Sequence, residues 1–166
     1  MTRRMSKPKK ASETGRTPMD EALRFLGPRA RTVREVERHL DKCEFGEVEI
    51  DAVTARLTEL GLIGDEAYAR EYVRTRLATK PVSREHLRMQ LLAHEADEAA
   101  IDLALSEVDG EAQAKNALAV AGKYVRQYAK LPPEEQREMV IRRLLSRGYG
   151  YDEARAALEA ALGGEE

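Results

Sequence analysis

Thr32-Val33-Arg34-Glu35-Val36-Glu37-Arg38-His39-Leu40 is answered, 51 positions later, by Ser83-Arg84-Glu85-His86-Leu87-Arg88-Met89-Gln90-Leu91. Each stretch opens on a hydroxyl residue suited to capping a helix and then places apolar side chains four and eight positions on, Val36 and Leu40 in one, Leu87 and Leu91 in the other. Spacing by four keeps those side chains on one helical face. Extended outward without a gap, the same displacement carries Ile50 to Ile101, Asp51 to Asp102 and Leu57 to Val108. A displacement of 53 then carries Leu91 to Leu144, Leu92 to Leu145, Ala104 to Ala157 and Leu105 to Leu158. A period of about 50 residues marks copies of one supersecondary unit, stacked so that each buries the face its neighbour exposes. Stacks of this kind present surface to large partners, which favours binding over catalysis.

Helix signals divide each copy into three. Thr17-Pro18 starts the first helix, with Asp20 and Glu21 in its first turn, and Gly27-Pro28 ends it. Thr32 with Glu35 three residues later reads as a capping box for the second helix. Ile50, Val53, Leu57 and Leu60 stripe a third helix that ends at Gly61. The second copy opens with Asp65 as cap, runs through Tyr68, Tyr72, Val73 and Leu77, resumes at Ser83, and closes at Asp109-Gly110 after Ile101, Leu105 and Val108. In the third, a longer helix from about Ala112 to Lys130 precedes Pro132-Pro133-Glu134-Glu135, a helix start, and Ala154, Leu158 and Leu162 mark the last helix. No segment alternates with period two. The sequence therefore predicts an all-α protein of nine helices in three tandem triplets, forming an elongated, curved helical stack. The repeats span 17–63, 64–110 and 111–164, and a basic, disordered tail occupies 1–16.

Composition narrows the class. Of 166 residues, 35% are charged and 5% aromatic, and tryptophan is absent, a profile of solvated helices rather than sheets. A single cysteine, Cys43, excludes an internal disulfide and suits a reducing compartment. The basic opening MTRRMSKPKK is followed by no apolar stretch of signal-peptide length, and no run long enough to span a bilayer occurs. The expectation is a cytoplasmic protein with no membrane association, and a monomer.

Charge alternates in step with the repeat. Residues 29–42 balance to +2, 44–66 to −6, 70–88 to +4, 95–111 to −7 and 115–147 to +5, beneath a total of only −2. If equivalent helices align in the stack, this draws one basic and one acidic ridge along it. Ordinary solvated faces would also carry such charges; their recurrence in register argues for a surface that meets a partner.

Sites of chemistry are absent from the sequence. It holds no glycine-rich phosphate loop, no paired-cysteine pattern and no serine-centred nucleophile motif. His39 and Cys43, four apart, place two metal-ligand types on one helix face, but nothing nearby in sequence supplies a third and fourth ligand. They read as a helix-edge pair beside the core. The six tyrosines fall mostly at core spacing and read as packing anchors. Neither an enzyme nor a bound cofactor or metal is expected.

Certain stretches resemble the RecX family of bacterial recombinase regulators. Ala22-Leu23-Arg24-Phe25-Leu26, then Arg29, the Thr32–Glu35 start and Leu40, is similar to that family's opening repeat. Leu60-Gly61-Leu62-Ile63-Gly64-Asp65-Glu66-Ala67-Tyr68-Ala69, followed by Tyr72-Val73 and Arg76, resembles its most recognisable stretch, and Arg143-Leu144-Leu145 through Arg147-Gly148-Tyr149 its third-repeat signature. The resemblance runs over roughly residues 19–162. It implies a modular nine-helix protein that binds the RecA recombinase, lodges in the groove of its filament on single-stranded DNA, and restrains ATPase, strand-exchange and coprotease activities in DNA repair and the SOS response. The basic ridge supplies the contact residues expected for such a partner, with single-stranded DNA as a further contact: Arg70, Arg74, Arg76, Arg84, Arg88, Arg142, Arg143 and Arg147. Two other readings stay open on the residues alone: a helical nucleic-acid-binding protein, which leaves the acidic ridge unexplained, and a passive helical scaffold for other proteins.

Overall fold

The computed structural model describes residues 15–164. Nine helices occur in that range, and no strand: α1 (Pro18–Leu26), α2 (Val33–Lys42), α3 (Glu47–Glu59), α4 (Asp65–Thr79), α5 (Arg84–Ala93), α6 (Glu98–Ser106), α7 (Gly110–Gln127), α8 (Pro133–Ser146) and α9 (Tyr151–Gly163). The all-α expectation is met. The expected tail falls, save for its last two positions, outside the described residues.

Local chemistry sets the helix ends. Thr17 and Thr32 each close a capping box, with Asp20 and Glu35 answering from the first turn. Glu35 Oε1 accepts from the Thr32 N–H at 3.1 Å while Thr32 Oγ1 accepts from the Glu35 N–H at 3.2 Å. Two expectations shift. Asp65 is the first residue of α4, and its carboxylate serves α2 instead, accepting from the Val33 N–H at 3.0 Å. Asp109 begins a helix rather than closing one, capping α7 through the Ala112 N–H at 2.8 Å.

The chain forms two compact units. One runs to Tyr68 and takes in His94–Ala96; the other comprises Ala69–Ala93 and the chain from Asp97 onward. In the first, Ala22, Val36, Leu40, Ile50, Val53, Leu57 and Ile63 form the core, flanked by Met19, Phe25, Leu26, Val33 and Phe45. In the second, one cluster draws on α7, α8 and α9, with Val120, Tyr124, Val140, Leu144, Tyr149 and Leu158 among its members. Leu87, Leu91, Ile101 and Leu105 are fully buried as well. The displacements found in sequence are displacements of burial: Leu40, Leu91 and Leu144 all have no exposed surface, and neither do Val36, Leu87 and Val140. Each such side chain contributes about 1.5–3 kcal/mol through burial.

A second recurrence is conformational. The turn after each middle helix passes through the left-handed region, at Glu44 (φ 63°), Glu95 (φ 59°) and Gly148 (φ 88°), positions related by the same 51 and 53. This ends the helix by returning an amide to a carbonyl five residues back: Phe45 N–H to Leu40 O at 3.3 Å, and Tyr149 N–H to Leu144 O at 3.2 Å.

Each unit also has a junction of the same design. In the first, Thr32 Oγ1 donates to the His94 carbonyl at 2.7 Å beside the Val33–Asp65 bond, and Arg38 pairs with Glu95. In the second, the Ser83 N–H donates to the Arg147 carbonyl at 2.9 Å, and the Arg84 N–H to Gln113 Oε1 at 2.8 Å. Gln113 Nε2 in turn donates to Glu153 Oε1 at 2.7 Å, tying α7 to the start of α9. Amides left without partners at the start of a middle helix are thus satisfied by residues 32 and 29 positions further along the chain.

Candidate functional site

The expected contact residues, on α4, α5 and α8 and at the C-cap of α8, belong to the second unit. Arg70 and Arg74, one turn apart on α4, are both exposed. Arg74 pairs with Glu71 on its own helix; Arg70 Nε lies 3.6 Å from Glu107 Oε1 at the end of α6. Arg88 on α5 reaches Asp102 of α6 at 2.7 Å. The basic and acidic helices of this copy therefore meet through exposed ion pairs instead of standing apart as separate ridges. Pairs of this kind contribute about 0–1 kcal/mol each, so a partner carrying the right charges can replace them at little cost.

The remaining arginines divide by burial. Arg84 is half-buried, and its backbone is engaged by Gln113. Arg76 is half-buried, with Nε out of water and no hydrogen-bond partner for it among the described residues. Arg142 is exposed and pairs with Glu138 at 2.8 Å, one helical turn away. Arg143 is exposed and donates to Tyr128 Oη at 2.9 Å, an interaction that raises its pKa further above the usual guanidinium value.

Arg147 is a correction. It is 7% exposed, with Nη1 donating to the Pro81 carbonyl at 3.0 Å and Nη2 to Tyr124 Oη at 2.9 Å. Two of the five guanidinium donors are thus on internal acceptors, and burial leaves the rest little access to a partner. Burial raises the pKa of the Tyr124 hydroxyl, but the hydrogen bond and charge of Arg147, with Lys123 and Arg143 nearby, outweigh it and hold that hydroxyl below its usual value. Sequence spacing counted Arg147 with Arg142 and Arg143; what separates it is its place at the helix C-cap, where the chain turns inward.

Tyr124 and Tyr149 are buried, Tyr68, Tyr72 and Tyr128 half-buried, and Tyr151 is 58% exposed, so the tyrosines are largely packing residues. The His39–Cys43 pair occupies the end of α2 in the first unit, where Glu21 from α1 joins it, a third member separated by 18 positions from His39 and so invisible to local spacing. Among the described residues, no helix is long and apolar enough to cross a membrane.

Residues 19–57 match the family model described as the RecX first three-helix domain, and residues 65–105 that of the RecX second three-helix domain. The regulatory protein RecX of Chlorobium phaeobacteroides is 36% identical over 98 residues, covering 59% of this chain and 65% of the relative. That of Bacillus subtilis is 31% identical over 140 residues, covering 84% of this chain and 53% of the relative. The chain thus spans between half and two-thirds of the length of these relatives. The crystal structure of RecX from Lactobacillus salivarius superposes with a TM-score of 0.73 at 25% identity, over 87% of this chain and 94% of that one. The helical triplets, their register and these likenesses agree: the chain belongs to the RecX family of regulatory proteins.

Proposed function

We propose that this protein binds RecA recombinase filaments on single-stranded DNA and restrains their ATPase, strand-exchange and coprotease activities, acting as a cytoplasmic monomer without catalysis of its own. Membership of the RecX family carries the reading. Its physical support is the arginine surface of α4 and α5, where Arg70 and Arg74 are exposed, Arg88 is half-buried, and each is held by an ion pair. A filament carrying a polyanion offers acceptors for such residues, and the acids beside them, Glu107 and Asp102, offer attraction to basic protein surface. The contact set comprises Arg70, Arg74, Arg76, Arg84, Arg88, Arg142 and Arg143. The division into functional repeats at 17–63, 64–110 and 111–164 belongs to the same proposal.

The test is a titration of the protein into RecA filaments on single-stranded DNA, with ATP hydrolysis as the readout. The wild type lowers hydrolysis and shows none alone. Reversing Arg70, Arg74, Arg84 and Arg88 to Glu raises the concentration needed by about tenfold or more, with helix content intact by circular dichroism. Retained inhibition by that folded variant overturns the assignment of this surface, and a wild type that neither binds nor slows the filament overturns the function.

A further inference from the structure

Away from the arginine surface, α1 and the end of α2 bring together three side chains of metal-ligating type. Glu21, His39 and Cys43 each present a potential ligand atom, and the three atoms lie within 4.8 Å of one another. Glu21 Oε1 is 3.0 Å from His39 Nε2, and the same nitrogen is 3.8 Å from Cys43 Sγ. Around a tetrahedral zinc ion, with bonds of about 2.0–2.3 Å, nitrogen, oxygen and sulfur ligands stand about 3.3–3.6 Å apart. The observed triangle differs from that by amounts that side-chain torsions can absorb.

An independent observation points the same way. Glu21 is only 6% exposed, an unusual place for a carboxylate, and its Oε2 has no hydrogen-bond partner among the described residues. Arg16 at 3.6 Å and Arg24 at 3.9 Å supply charge from the rim, yet their side chains are 41% and 65% exposed and neither closes a hydrogen bond to it. A buried carboxylate held this loosely is under-coordinated. The His39 ring, by contrast, is fixed: it stacks on Phe25 at 4.0 Å between centroids and 2° between planes, and Arg31 lies 4.0 Å from the Phe25 ring centre. His39 and Cys43 remain half-exposed, which leaves a path for a small ion.

We propose that Glu21, His39 and Cys43 form a three-ligand site for a thiophilic divalent cation, zinc by size and donor set, with water in the fourth position. Glu21 binds through Oε1, His39 through Nε2 and Cys43 as the thiolate. On binding, the thiol gives up its proton to solvent, the Nε2 proton of His39 passes through solvent to Nδ1 so that the ring stays neutral, and the Glu21–His39 hydrogen bond is exchanged for two metal bonds. Two anionic ligands then neutralise the dication. The ion fastens α1 to the C-terminal end of α2, stiffening the first copy.

The chain has a single cysteine, so any thiolate-to-cobalt absorption must arise at Cys43. Tag-free, full-length protein stripped with chelator is titrated with cobalt(II) and then zinc(II). Expected are a charge-transfer band and strong tetrahedral ligand-field bands saturating at one metal per chain, displaced by zinc. Cys43→Ser abolishes the charge-transfer band, and Glu21→Gln weakens cobalt binding by at least about tenfold with the band retained. Saturating zinc slows alkylation of Cys43 in the wild type about tenfold or more, a readout that needs no variant to fold. No charge-transfer band, saturation at one metal per two chains, cobalt affinity unchanged in a folded Glu21→Gln variant, or unslowed alkylation at saturating zinc would each overturn the proposal, leaving a hydrogen-bonded Glu–His pair with a thiol at its edge.

Discussion

Among single residues, Gly148 is the least replaceable position of its turn. It has φ 88°, and a Cβ there would stand 2.5 Å from Ser83 Oγ and 2.9 Å from His86 Cβ. Gly61 shares the left-handed backbone at φ 69° but has nothing within 4 Å of its would-be Cβ. Gly61→Ala should therefore cost only the backbone term, about 1 kcal/mol, and Gly148→Ala about 2–4 kcal/mol, both read from urea denaturation. Equal losses would mean that the close approach to Ser83 is not felt. Tyr149 offers a second test. Its hydroxyl is buried without a hydrogen-bond partner among the described residues, and burial pushes its pKa up to about 12, with Arg147 opposing and Glu153 adding. The unfolded chain loses this proton near pH 10 while the folded chain keeps it, so stability falls as pH rises from about 10 towards 12. Tyr149→Phe should flatten that fall in alkaline melting curves and leave stability at neutral pH unchanged or higher. Little of this was legible in the sequence. Glu44 and Glu95 adopt a conformation for which glycine is the usual signal, and nothing in their neighbours announces it.

Whole helices were the most legible scale, because a helix obeys a rule local enough to be written in four-residue steps. Thr17, Thr32, Pro18 and Pro133 marked helix starts, and Leu40, Leu91 and Leu144 marked the buried face. Leu91→Ala should cost about 2–5 kcal/mol, measured as a shift in the denaturation midpoint with unchanged slope; a loss below about half a kcal/mol would break the equivalence of the middle helices. What could not be read was who caps whom. Asp65 serves α2, Gln113 bridges α5 and α9, and Arg147 turns back to Pro81, pairings across 29 to 66 positions that depend on how helices pack. Glu21 meets His39 for the same reason: both helices were foreseen, but their mutual facing was not. Thr32→Ala removes a cap and a junction bond together and should cost about 1–3 kcal/mol, more than a cap alone would.

At the scale of the whole chain, the repeat and its family resemblance were legible because they are statements about order and spacing. The charged surface was legible only as a tally, since counting charges does not show that Arg70 and Arg88 already hold Glu107 and Asp102. Those pairs give the proposed contact a distinct salt response. Raising ionic strength loosens the internal pairs and the filament contact together, so wild-type inhibition should weaken with salt, and the four-arginine reversal should show a flatter dependence. Reversing Glu107 alone removes the competitor of Arg70, and filament affinity should rise slightly if Arg70 faces the partner; a clear loss would place the acidic helix at the contact instead.

The junction bonds also set an order of events during synthesis. A ribosome delivers α1, α2 and α3 first, yet the groups that satisfy the start of α2 come later: Asp65 about 30 residues afterwards, and the His94 carbonyl about 60 afterwards. The earliest helices to emerge are thus the ones that wait. Nascent chains arrested just after residue 63 should be cut readily by protease within α2, and chains long enough to expose residue 96 should resist, so that the first triplet is finished by the second.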